Sequence, residues 1–594
     1  MAKLRNEIDD KYKWDLSSIF KTDDEFLKEY EIVKKDINVI SNYKGKIVSS
    51  ASSLLEYLNF TINLERRIYK LYYYAHLHYD EDTTNTKYQE YFGLIRNLLT
   101  NYEELKSFEV PEFMSIDYKV IEEYFNEIPD LKKYKFNLEN LYRYKSHTLT
   151  EKEEKMLSRL SKVIGNPELT YSSLTDSDIT FGNIKVDSKD VELTESNYSV
   201  YIRNEDRDVR KQAFETLFTT YSNLKNTITS TFKGNIESLV ETAKIRNYNS
   251  SLEASLFDDN IDTKIYDNLI KVVSHNMDVV YKYFKLKKEV LKLEPYTSYD
   301  VYVDMVPNLD KKYNFEEAKN LVIEALKPLG ENYINDLKKA FKERWIDTYP
   351  NKGKRTGAYS SGFYDTKPFV LLNFEGRYND VSTLAHELGH SMHTYYSCKN
   401  NDYNNSQYKI FVAEVASTVN ELLLANYLLK TSNNKEEKMY ILNQLMELYK
   451  ATIYRQTMFA EFEKEMNLRV EKDIPLTHES ISNYYYDLNK KYFGDSVELQ
   501  DLIKYEWERI PHFYYDFYVY KYAIGLSCAT KIVENILSGA DEGAKNYLKF
   551  LSSGGSDYPV NELKLAGIDV TKEEVIESAI SYFDSLIDEF KSLI

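Results

Sequence analysis

One segment near the middle of the chain reads Asp380-Val-Ser-Thr-Leu-Ala-His-Glu-Leu-Gly-His-Ser-Met-His393. Its apolar residues recur at intervals of three and four, which is the spacing of one face of an α-helix. Either Asp380 or Ser382 is a suitable N-cap, because a short polar side chain can accept a hydrogen bond from the first free backbone N–H groups. The segment therefore predicts a helix that begins close to Asp380.

Two histidines of this predicted helix are four residues apart. His386 and His390 would project from one face, one turn from each other. Two neutral imidazoles in that arrangement can take two corners of a zinc tetrahedron. Glu387 would then lie beside the metal but outside its ligand set, where it can accept a proton from water. The pattern predicts a catalytic zinc site, and the alternative is a pair of hydrogen-bonded histidines in the core.

The third ligand is not given by this segment. The elongated histidine motif would require glycine at position 393 and histidine at position 396, where this chain has His393 and Tyr396. His393 follows His386 by seven residues on the same helical face. It would reach the metal only if the helix ended early, so we expect it to support a ligand or to pack.

A carboxylate from a later helix is the better candidate. The segment Phe411-Val-Ala-Glu-Val-Ala-Ser-Thr-Val-Asn-Glu-Leu-Leu-Leu424 is apolar on almost every face. Burial of Glu414 and Glu421 in such a helix is costly unless each has a partner. A metal ion would be the partner of Glu414, and an imidazole N–H that of Glu421. The alternative is two solvated carboxylates on an amphipathic helix.

A second candidate cluster is Pro511-His-Phe-Tyr-Tyr-Asp-Phe-Tyr-Val-Tyr-Lys-Tyr522. Four of its side chains fall at offsets of three to four, which predicts one helical stripe: His512, Tyr515, Tyr518 and Tyr522. Phenols and an imidazole can donate hydrogen bonds to the oxyanion that forms when an amide is attacked. From spacing alone, core packing is the favoured interpretation, because the chain has 55 tyrosines.

The composition favours helices. Glycine and proline number 18 and 11, about 5% of the 594 residues, whereas they make up about 12% of an average protein. Collagen, long flexible linkers and turn-rich β sandwiches need more of these residues. The hydrophobic fraction of 43% excludes intrinsic disorder, because it is enough to build a large core. We therefore expect a mainly α protein.

Signals for strands are confined to the middle of the chain. The segments 357–363 and 368–374 combine glycine punctuation with short β-branched and aromatic runs. They predict a small sheet within the helical body. The second run, with Phe369 and Leu371, is a candidate to bind a peptide as an added strand, where backbone hydrogen bonds give affinity.

Charge and cysteine content exclude several kinds of partner. There are 95 acidic and 77 basic side chains, a net charge of −18, which repels the phosphates of nucleic acids. The chain has no run of eighteen apolar residues, which is about the length needed to span a membrane. Its first ten residues become acidic where a signal peptide would be apolar. Cys398 and Cys528 are too few for a disulfide framework. These features predict a cytoplasmic protein with no membrane or nucleic-acid partner.

A domain boundary is expected near residues 195–205. Residues 171–196 are rich in Ser, Thr, Asp and Gly, and helical patterning resumes after them. The expected division is an N-terminal helical lobe over residues 1–200 and a catalytic domain over residues 201–594.

The chain resembles the oligoendopeptidase F group of the thimet-oligopeptidase-like family of zinc metallopeptidases. The zinc motif alone occurs in many families, but its combination with the Glu414 segment and the His512 cluster is much more specific. The segments that carry the resemblance span nearly the whole chain: Tyr12–Phe20, Ala385–His393, Phe411–Thr418, the Tyr-rich segment from His512, and Ser552–Pro559.

The resemblance implies roles for named residues. His386, His390 and Glu414 match the family's ligands for one zinc ion, and Glu387 matches its catalytic base. The residues that match positions for binding the substrate and stabilising the transition state are His512, Tyr515 and Tyr522, and Tyr518 is an alternative to one of the tyrosines.

The resemblance also implies a fold and a substrate. The family fold is an almost wholly helical ellipsoid, in which a deep channel lined by a small sheet divides two lobes. Short unstructured peptides are the implied substrates, because a folded protein cannot enter such a channel. The expected activity is a zinc-dependent endopeptidase. A dipeptidyl carboxypeptidase or carboxypeptidase of related fold, and a helical peptide-binding protein without activity, are the alternatives.

Overall fold

The computed structural model describes residues 3–309, 311–539 and 541–594. It is 72% helical, which confirms the prediction of a mainly α protein. The chain forms two compact units. The first unit consists of Met1–Ser146, Asp310–Tyr427 and Ile532–Ile568, and the second of His147–Leu309, Leu428–Lys531 and Asp569–Ile594. Of the helices in the described ranges, none is both long enough and apolar enough to cross a bilayer.

The helices follow these segments along the chain. The first segment contains α1 (Asp23–Asp36), α2 (Ala51–Glu81), α3 (Thr86–Lys106), α4 (Glu109–Met114), α5 (Tyr118–Glu127) and α6 (Lys135–Arg143). The second contains α7 (Glu151–Ile164), α8 (Asn166–Ser173), α9 (Glu195–Tyr201), α10 (Arg207–Asn223), α11 (Lys225–Ile245), α12 (Ser251–Phe257), α13 (Thr263–His275) and α14 (Met277–Leu291).

The remaining helices begin after residue 310. They are α15 (Phe315–Ala325), α16 (Glu331–Lys342), α17 (Tyr378–Asn400), α18 (Ile410–Thr431), α19 (Lys435–Tyr449), α20 (Gln456–Glu471), α21 (His478–Phe493), α22 (Tyr520–Leu537), α23 (Asp541–Ser553), α24 (Pro559–Leu565) and α25 (Glu574–Ser592). The expected boundary near residue 200 falls within α9, inside the second unit. The division into residues 1–200 and 201–594 stays a prediction.

Helix α17 begins earlier than its sequence indicated. Its N-cap is Arg377, so neither Asp380 nor Ser382 has that position. The carboxylate of Asp380 instead accepts hydrogen bonds from the backbone N–H groups of Arg377, at 2.8 Å, and Glu375, at 3.0 Å. An acidic residue at the third helical position can satisfy N–H groups at and before the N-cap in this way.

The first unit contains the predicted small sheet. Its strands are β3 (Ile346–Asp347), β4 (Tyr359–Ser361) and β5 (Phe369–Leu371), in the order β3-β5-β4. β3 is parallel to β5, with Ile346 opposite Val370. β4 is antiparallel to β5, with Ser360 opposite Val370. The sheet therefore has β5 at its centre.

The expectation that strands are confined to the middle of the chain is wrong. β1 (Asn183–Val186) and β2 (Lys189–Glu192) form an antiparallel hairpin in the second unit. Asp187 and Ser188 connect them with φ of 50° and 63°, the left-handed geometry of a tight hairpin turn. An Asp-Ser pair lacks the glycine that usually marks such a turn, so the sequence of this segment indicates only a polar boundary.

The N-terminal segment that carried part of the resemblance covers the sheet. Trp14 packs edge-to-face on Phe369 of β5, with ring centroids 6.1 Å apart. The indole N–H of Trp14 donates to Glu81 at the end of α2, at 2.7 Å. Phe369 and Leu371 are fully buried in the same apolar cluster. The central strand is thus buried in the core of the first unit.

Candidate metal centre and active site

Helices α17 and α18 approach each other at Gly389. A Cβ atom built on Gly389 would lie 2.5 Å from the carbonyl oxygen of Ala416 and 2.6 Å from the Cα of Ser417. Only glycine allows two backbones to come so close. The buried amide of Asn420 also donates to the carbonyl of Ala385, at 3.0 Å. These two contacts fix the side chains of α17 that face α18.

Three side chains converge where the two helices meet. The Nε2 atoms of His386 and His390 are 3.2 Å apart. The Oε2 atom of Glu414 lies 3.5 Å from Nε2 of His386 and 3.6 Å from Nε2 of His390. One ligand atom from each residue lies within 4.8 Å of the others. Two imidazoles and one carboxylate are a donor set that suits zinc, so the residues fit the metal expected from the sequence.

Glu421 holds His386 from the side away from this group. Its Oε1 atom lies 2.6 Å from Nδ1 of His386. A proton on Nδ1 donates to this carboxylate and leaves the Nε2 lone pair free for a metal. Burial lowers the pKa of His386, but the hydrogen bond and charge of Glu421 outweigh burial and raise it to about 9. Glu421 therefore has the imidazole partner that the sequence predicted.

Glu414 is more exposed than its apolar surroundings indicated. About half of its side chain, 48%, is accessible to solvent, so the argument that its burial demands a partner is wrong for this residue. It lies on α18 where the helix faces the two histidines. The hydroxyl of Ser417 donates to Oε2 of Glu414, at 3.1 Å. A hydrogen bond with His390 lowers the pKa of Glu414 to about 2, although burial opposes the shift.

Glu387 is buried next to the converging group. Its exposed fraction is 6%, and burial raises the pKa of its carboxyl group. The charges of His386 and His390 oppose that shift, which indicates that the carboxyl group lies within electrostatic reach of both rings. Glu387 is not one of the three converging donors. It therefore lies next to the three donors and outside their set.

His393 has a packing role. Its ring is fully buried and stacks on Tyr408, with centroids 3.7 Å apart and planes inclined by 3°. Neither ring nitrogen has a hydrogen-bond partner among the described residues. Burial lowers the pKa of His393 to about 3, so the ring is neutral. Of the two roles expected from the sequence, the geometry favours packing.

The second cluster is assembled in the second unit, but not on one helix. A short 3-10 turn over Pro511–Tyr514 is followed by Asp516 and Phe517 with φ of 48° and 61°, and α22 starts only at Tyr520. The prediction of a continuous helical stripe is therefore wrong. The rings still meet at His512: the centroids of Tyr515, Tyr518 and Tyr522 lie 5.5, 6.5 and 6.1 Å from it.

The side chains of this cluster differ in exposure. Tyr515 is 46% exposed, so its phenol is accessible to a ligand. His512 is half-buried, and burial lowers its pKa. A neutral imidazole and accessible phenols can both donate hydrogen bonds to an oxyanion.

The prediction that the run with Phe369 and Leu371 binds a peptide as an added strand is wrong. β5 is paired on both sides, and both side chains are fully buried. Strand addition requires an unpaired edge. Within the described residues, the edge strands of this sheet are β3 and β4, one on each side of β5.

β4 is hydrogen-bonded to α17, the helix that carries the histidines. The sequence did not predict this contact. The hydroxyls of Ser360 on β4 and Ser391 on α17 are 2.8 Å apart. Where the chain enters β4, a cavity of about 260 Å³ opens towards Thr383, one turn before His386 and Glu387. Its lining residues are Gly357, Ala358, Leu372, Asn373, Phe374, Asp380 and Thr383.

Comparison with known proteins places the whole chain in one group. The family model for peptidase family M3 matches residues 200–582, and that for oligopeptidase F matches residues 112–181. Oligopeptidase PepF of Bacillus subtilis is 41% identical, over 99% of this chain and 88% of the relative. The chain belongs to peptidase family M3. The resemblance to oligoendopeptidase F is therefore confirmed.

Solved structures of similar proteins agree with this M3 assignment. The crystal structure of oligoendopeptidase F from Enterococcus faecium aligns with a TM-score of 0.75 and 33% identity, over 96% of this chain and 99% of that one. A crystal structure from Chlamydophila abortus aligns with a TM-score of 0.93 and 37% identity, over the full length of both chains. As an M3 peptidase, the protein is a metalloendopeptidase that cleaves oligopeptides. The alternative of a peptide-binding protein without activity is wrong.

Proposed function

We propose that this M3 peptidase hydrolyses internal peptide bonds of short, unstructured peptides, with one zinc ion held by His386, His390 and Glu414 and with Glu387 as the general base. The observation that carries the proposal is the approach of the two Nε2 atoms to 3.2 Å, with Oε2 of Glu414 at 3.5 and 3.6 Å from them. Nitrogen and carboxylate atoms of this kind and number form catalytic zinc sites that keep one position open.

The carboxylate of Glu387 moves the proton. When bound, zinc supplies Lewis acidity that polarises the scissile carbonyl group and makes water a stronger acid near neutral pH. Glu387 accepts the proton of the attacking water and then delivers it to the leaving amine. Its burial supports this role, because a raised pKa makes a carboxylate a stronger base than an exposed one.

Glu421 orients His386 without touching the metal. Its hydrogen bond to Nδ1 selects the tautomer in which Nε2 carries the lone pair. It also keeps the ring plane directed towards the group that contains Glu414. Glu421 is therefore a positioning residue.

The aromatic cluster supplies donors to the substrate in this proposal. His512, Tyr515 and Tyr522 match the family positions that bind substrate and stabilise the transition state. The accessible phenol of Tyr515 supports such a role. Tyr518, whose ring lies 5.4 Å from that of Tyr522, is the alternative donor.

Peptide recognition through the backbone is proposed for the edge of β4. Gly357 and Ala358 precede this strand and line the cavity next to Thr383. A Cβ atom on Gly357 would meet nothing within 4 Å among the described residues. Backbone pairing at such an edge gives affinity with little side-chain preference.

The test uses Glu387→Gln in the metal-loaded protein. We expect zinc content and melting temperature close to those of the parent, with hydrolysis of a mixture of short peptides lost, as read by mass spectrometry. Peptides blocked at both ends should be cut by the parent, because an endopeptidase needs no free terminus. Glu316→Gln, an exposed change on α15, is the control. Retained hydrolysis by Glu387→Gln would rule out this base, and failure to cut blocked peptides would favour the carboxypeptidase alternative.

A further inference from the structure

The turn between Tyr515 and Tyr518 has a backbone that ordinary residues rarely adopt. Asp516 and Phe517 both lie in the left-handed region, with φ of 48° and 61°. Asp tolerates this region better than most residues, but a bulky side chain such as that of Phe517 is strained there. Such strain persists only where the surroundings hold it. The turn separates the two tyrosines along the chain and lets both rings reach His512.

One buried carboxyl group accepts a hydrogen bond from this turn. The Oε1 atom of Glu463, on α20, accepts a hydrogen bond from the backbone N–H of Phe517 at 2.6 Å. Glu463 is almost fully buried. Its Oε2 atom has no hydrogen-bond partner in the part of the chain that the structure describes. The contact is therefore a single hydrogen bond, which the backbone of the turn donates to a carboxyl group that is costly to bury.

The phenyl ring of Phe517 is linked to α20 through a tyrosine of α13. It packs edge-to-face on Tyr266, with centroids 5.7 Å apart. The hydroxyl of Tyr266 donates to the carbonyl of Ala460 on α20, at 2.7 Å. Ala460 lies three residues before Glu463, so one turn of α20 anchors both the backbone and the ring of Phe517.

A carboxyl group is a poor choice for this site if its task is packing. Burial raises the pKa of Glu463 to about 8, which reflects the cost of charging it there. An apolar side chain of similar size would avoid both that cost and the unpaired oxygen. The acceptor for the Phe517 N–H is what the carboxyl group adds. Sites that lower stability in this way are typical of functional regions.

We propose that Glu463 is a positioning residue, which holds the left-handed Asp516–Phe517 turn and thereby sets the arrangement of Tyr515 and Tyr518 around His512. The inference rests on the proposed function of the aromatic cluster. Loss of the acceptor releases the turn, and the phenols lose their alignment. Misplacement of catalytic groups by about 1 Å can cost about 100-fold in rate.

The test compares three variants of the full, metal-loaded chain. Glu463→Leu removes the acceptor and keeps the volume, so kcat should fall about 10- to 100-fold, while melting temperature stays the same or rises and zinc content is unchanged. Glu463→Gln keeps an acceptor oxygen and should recover most of kcat. Asn467→Ala is the matched control: Asn467 is buried one turn further along α20, and its side-chain amide donates to the backbone carbonyl of Glu463 at 3.0 Å. It should change stability more than kcat.

The outcomes distinguish the positioning role of Glu463 from the proposed role of the aromatic cluster around His512. A parental kcat in Glu463→Leu, or an equal loss in the Leu and Gln variants, would overturn the role of Glu463. If Glu463→Leu does not fold, Glu463→Asp withdraws the carboxyl group by one methylene, and a parental kcat there would overturn it as well. His512→Ala tests the cluster itself: if kcat is unchanged in that variant, the proposed role of the cluster fails whatever Glu463 does.

Discussion

Gly389 lies against the backbone of Ala416, so closely that a Cβ atom on Gly389 would come within 2.5 Å of the Ala416 carbonyl oxygen. Gly389 immediately precedes the ligand candidate His390, and Ala416 follows Glu414 by two residues. The distance between the two helices at this point therefore sets how closely the histidines and Glu414 approach each other. The small residue within the histidine motif acts on the metal site through packing.

Gly389→Ala should weaken metal binding. The added methyl group cannot fit against backbone atoms, so α17 and α18 must separate or distort, at a cost of about 1–3 kcal/mol in stability. We expect a lower melting temperature and faster loss of zinc to a chelator. Gly525→Ala on α22 is the control, because a Cβ atom there meets nothing within 4 Å among the described residues. Unchanged zinc retention in Gly389→Ala would contradict the role of this contact.

Glu421→Ala should lower zinc affinity about 10- to 100-fold, the usual cost of losing a carboxylate that orients a metal-bound histidine. The imidazole of His386 would lose its partner at 2.6 Å and with it the preferred tautomer. Glu421→Gln retains an oxygen that accepts the Nδ1 proton, so its loss should be smaller. Competition with a chromogenic chelator measures both. Equal affinities in parent and Glu421→Ala would show that His386 is oriented by other contacts.

Much of the metal site could be predicted from the sequence, because its spacing is local. His386 and His390 are one turn apart on any helix. Because the segment around Glu421 is apolar, the carboxylate of Glu421 needs a hydrogen-bond partner if it is buried. Glu414 shows that apolar neighbours in the sequence do not always mean a buried carboxylate. Its segment is apolar, yet the side chain is half exposed, because exposure depends on what packs against each face of a helix.

The path of the chain around the aromatic cluster could not be predicted in the same way. The turn at Phe517 depends on a hydrogen bond to Glu463, 54 residues earlier in the sequence. The pairing of β5 with β3 depends likewise on Ile346, and the burial of β5 depends on Trp14, which covers Phe369. Spacing within a segment carries no information on such distant contacts.

Substitution of single phenols should identify the donor in the aromatic cluster. Removal of one hydrogen-bond donor to an oxyanion costs about 100- to 1000-fold in kcat. We expect such a loss in Tyr515→Phe and in Tyr522→Phe, with KM changed much less. The control is Tyr514→Phe, because the hydroxyl of Tyr514 is bonded to Thr231 at 2.8 Å in the core. A loss of kcat in Tyr518→Phe instead of Tyr515→Phe would assign the role to Tyr518.

Glu562→Gln should stabilise the protein at pH 8 but not at pH 4.5. Glu562 on α24 is almost fully buried, and a backbone hydrogen bond from Asp557 only partly offsets the cost of charging its carboxyl group. Burial raises its pKa from 4.5 to about 8. The folded state therefore holds a proton that the unfolded state releases, so the free energy of unfolding falls as pH rises from about 4.5 to 8, by up to about 1.4 kcal/mol per pH unit. The neutral amide removes this loss.

Urea unfolding of the parent and of Glu562→Gln at several pH values measures the effect as a difference. The free energy of unfolding of the variant should rise relative to that of the parent from pH 5 to pH 8. In this range the parent's Glu562 stays protonated in the folded state but loses its proton on unfolding, whereas the amide of the variant does not titrate. Glu577→Gln removes an exposed carboxylate from α25 and controls for the loss of one charge. A difference between Glu562→Gln and the parent that does not vary with pH would show that Glu562 has the same proton affinity in the folded and unfolded states.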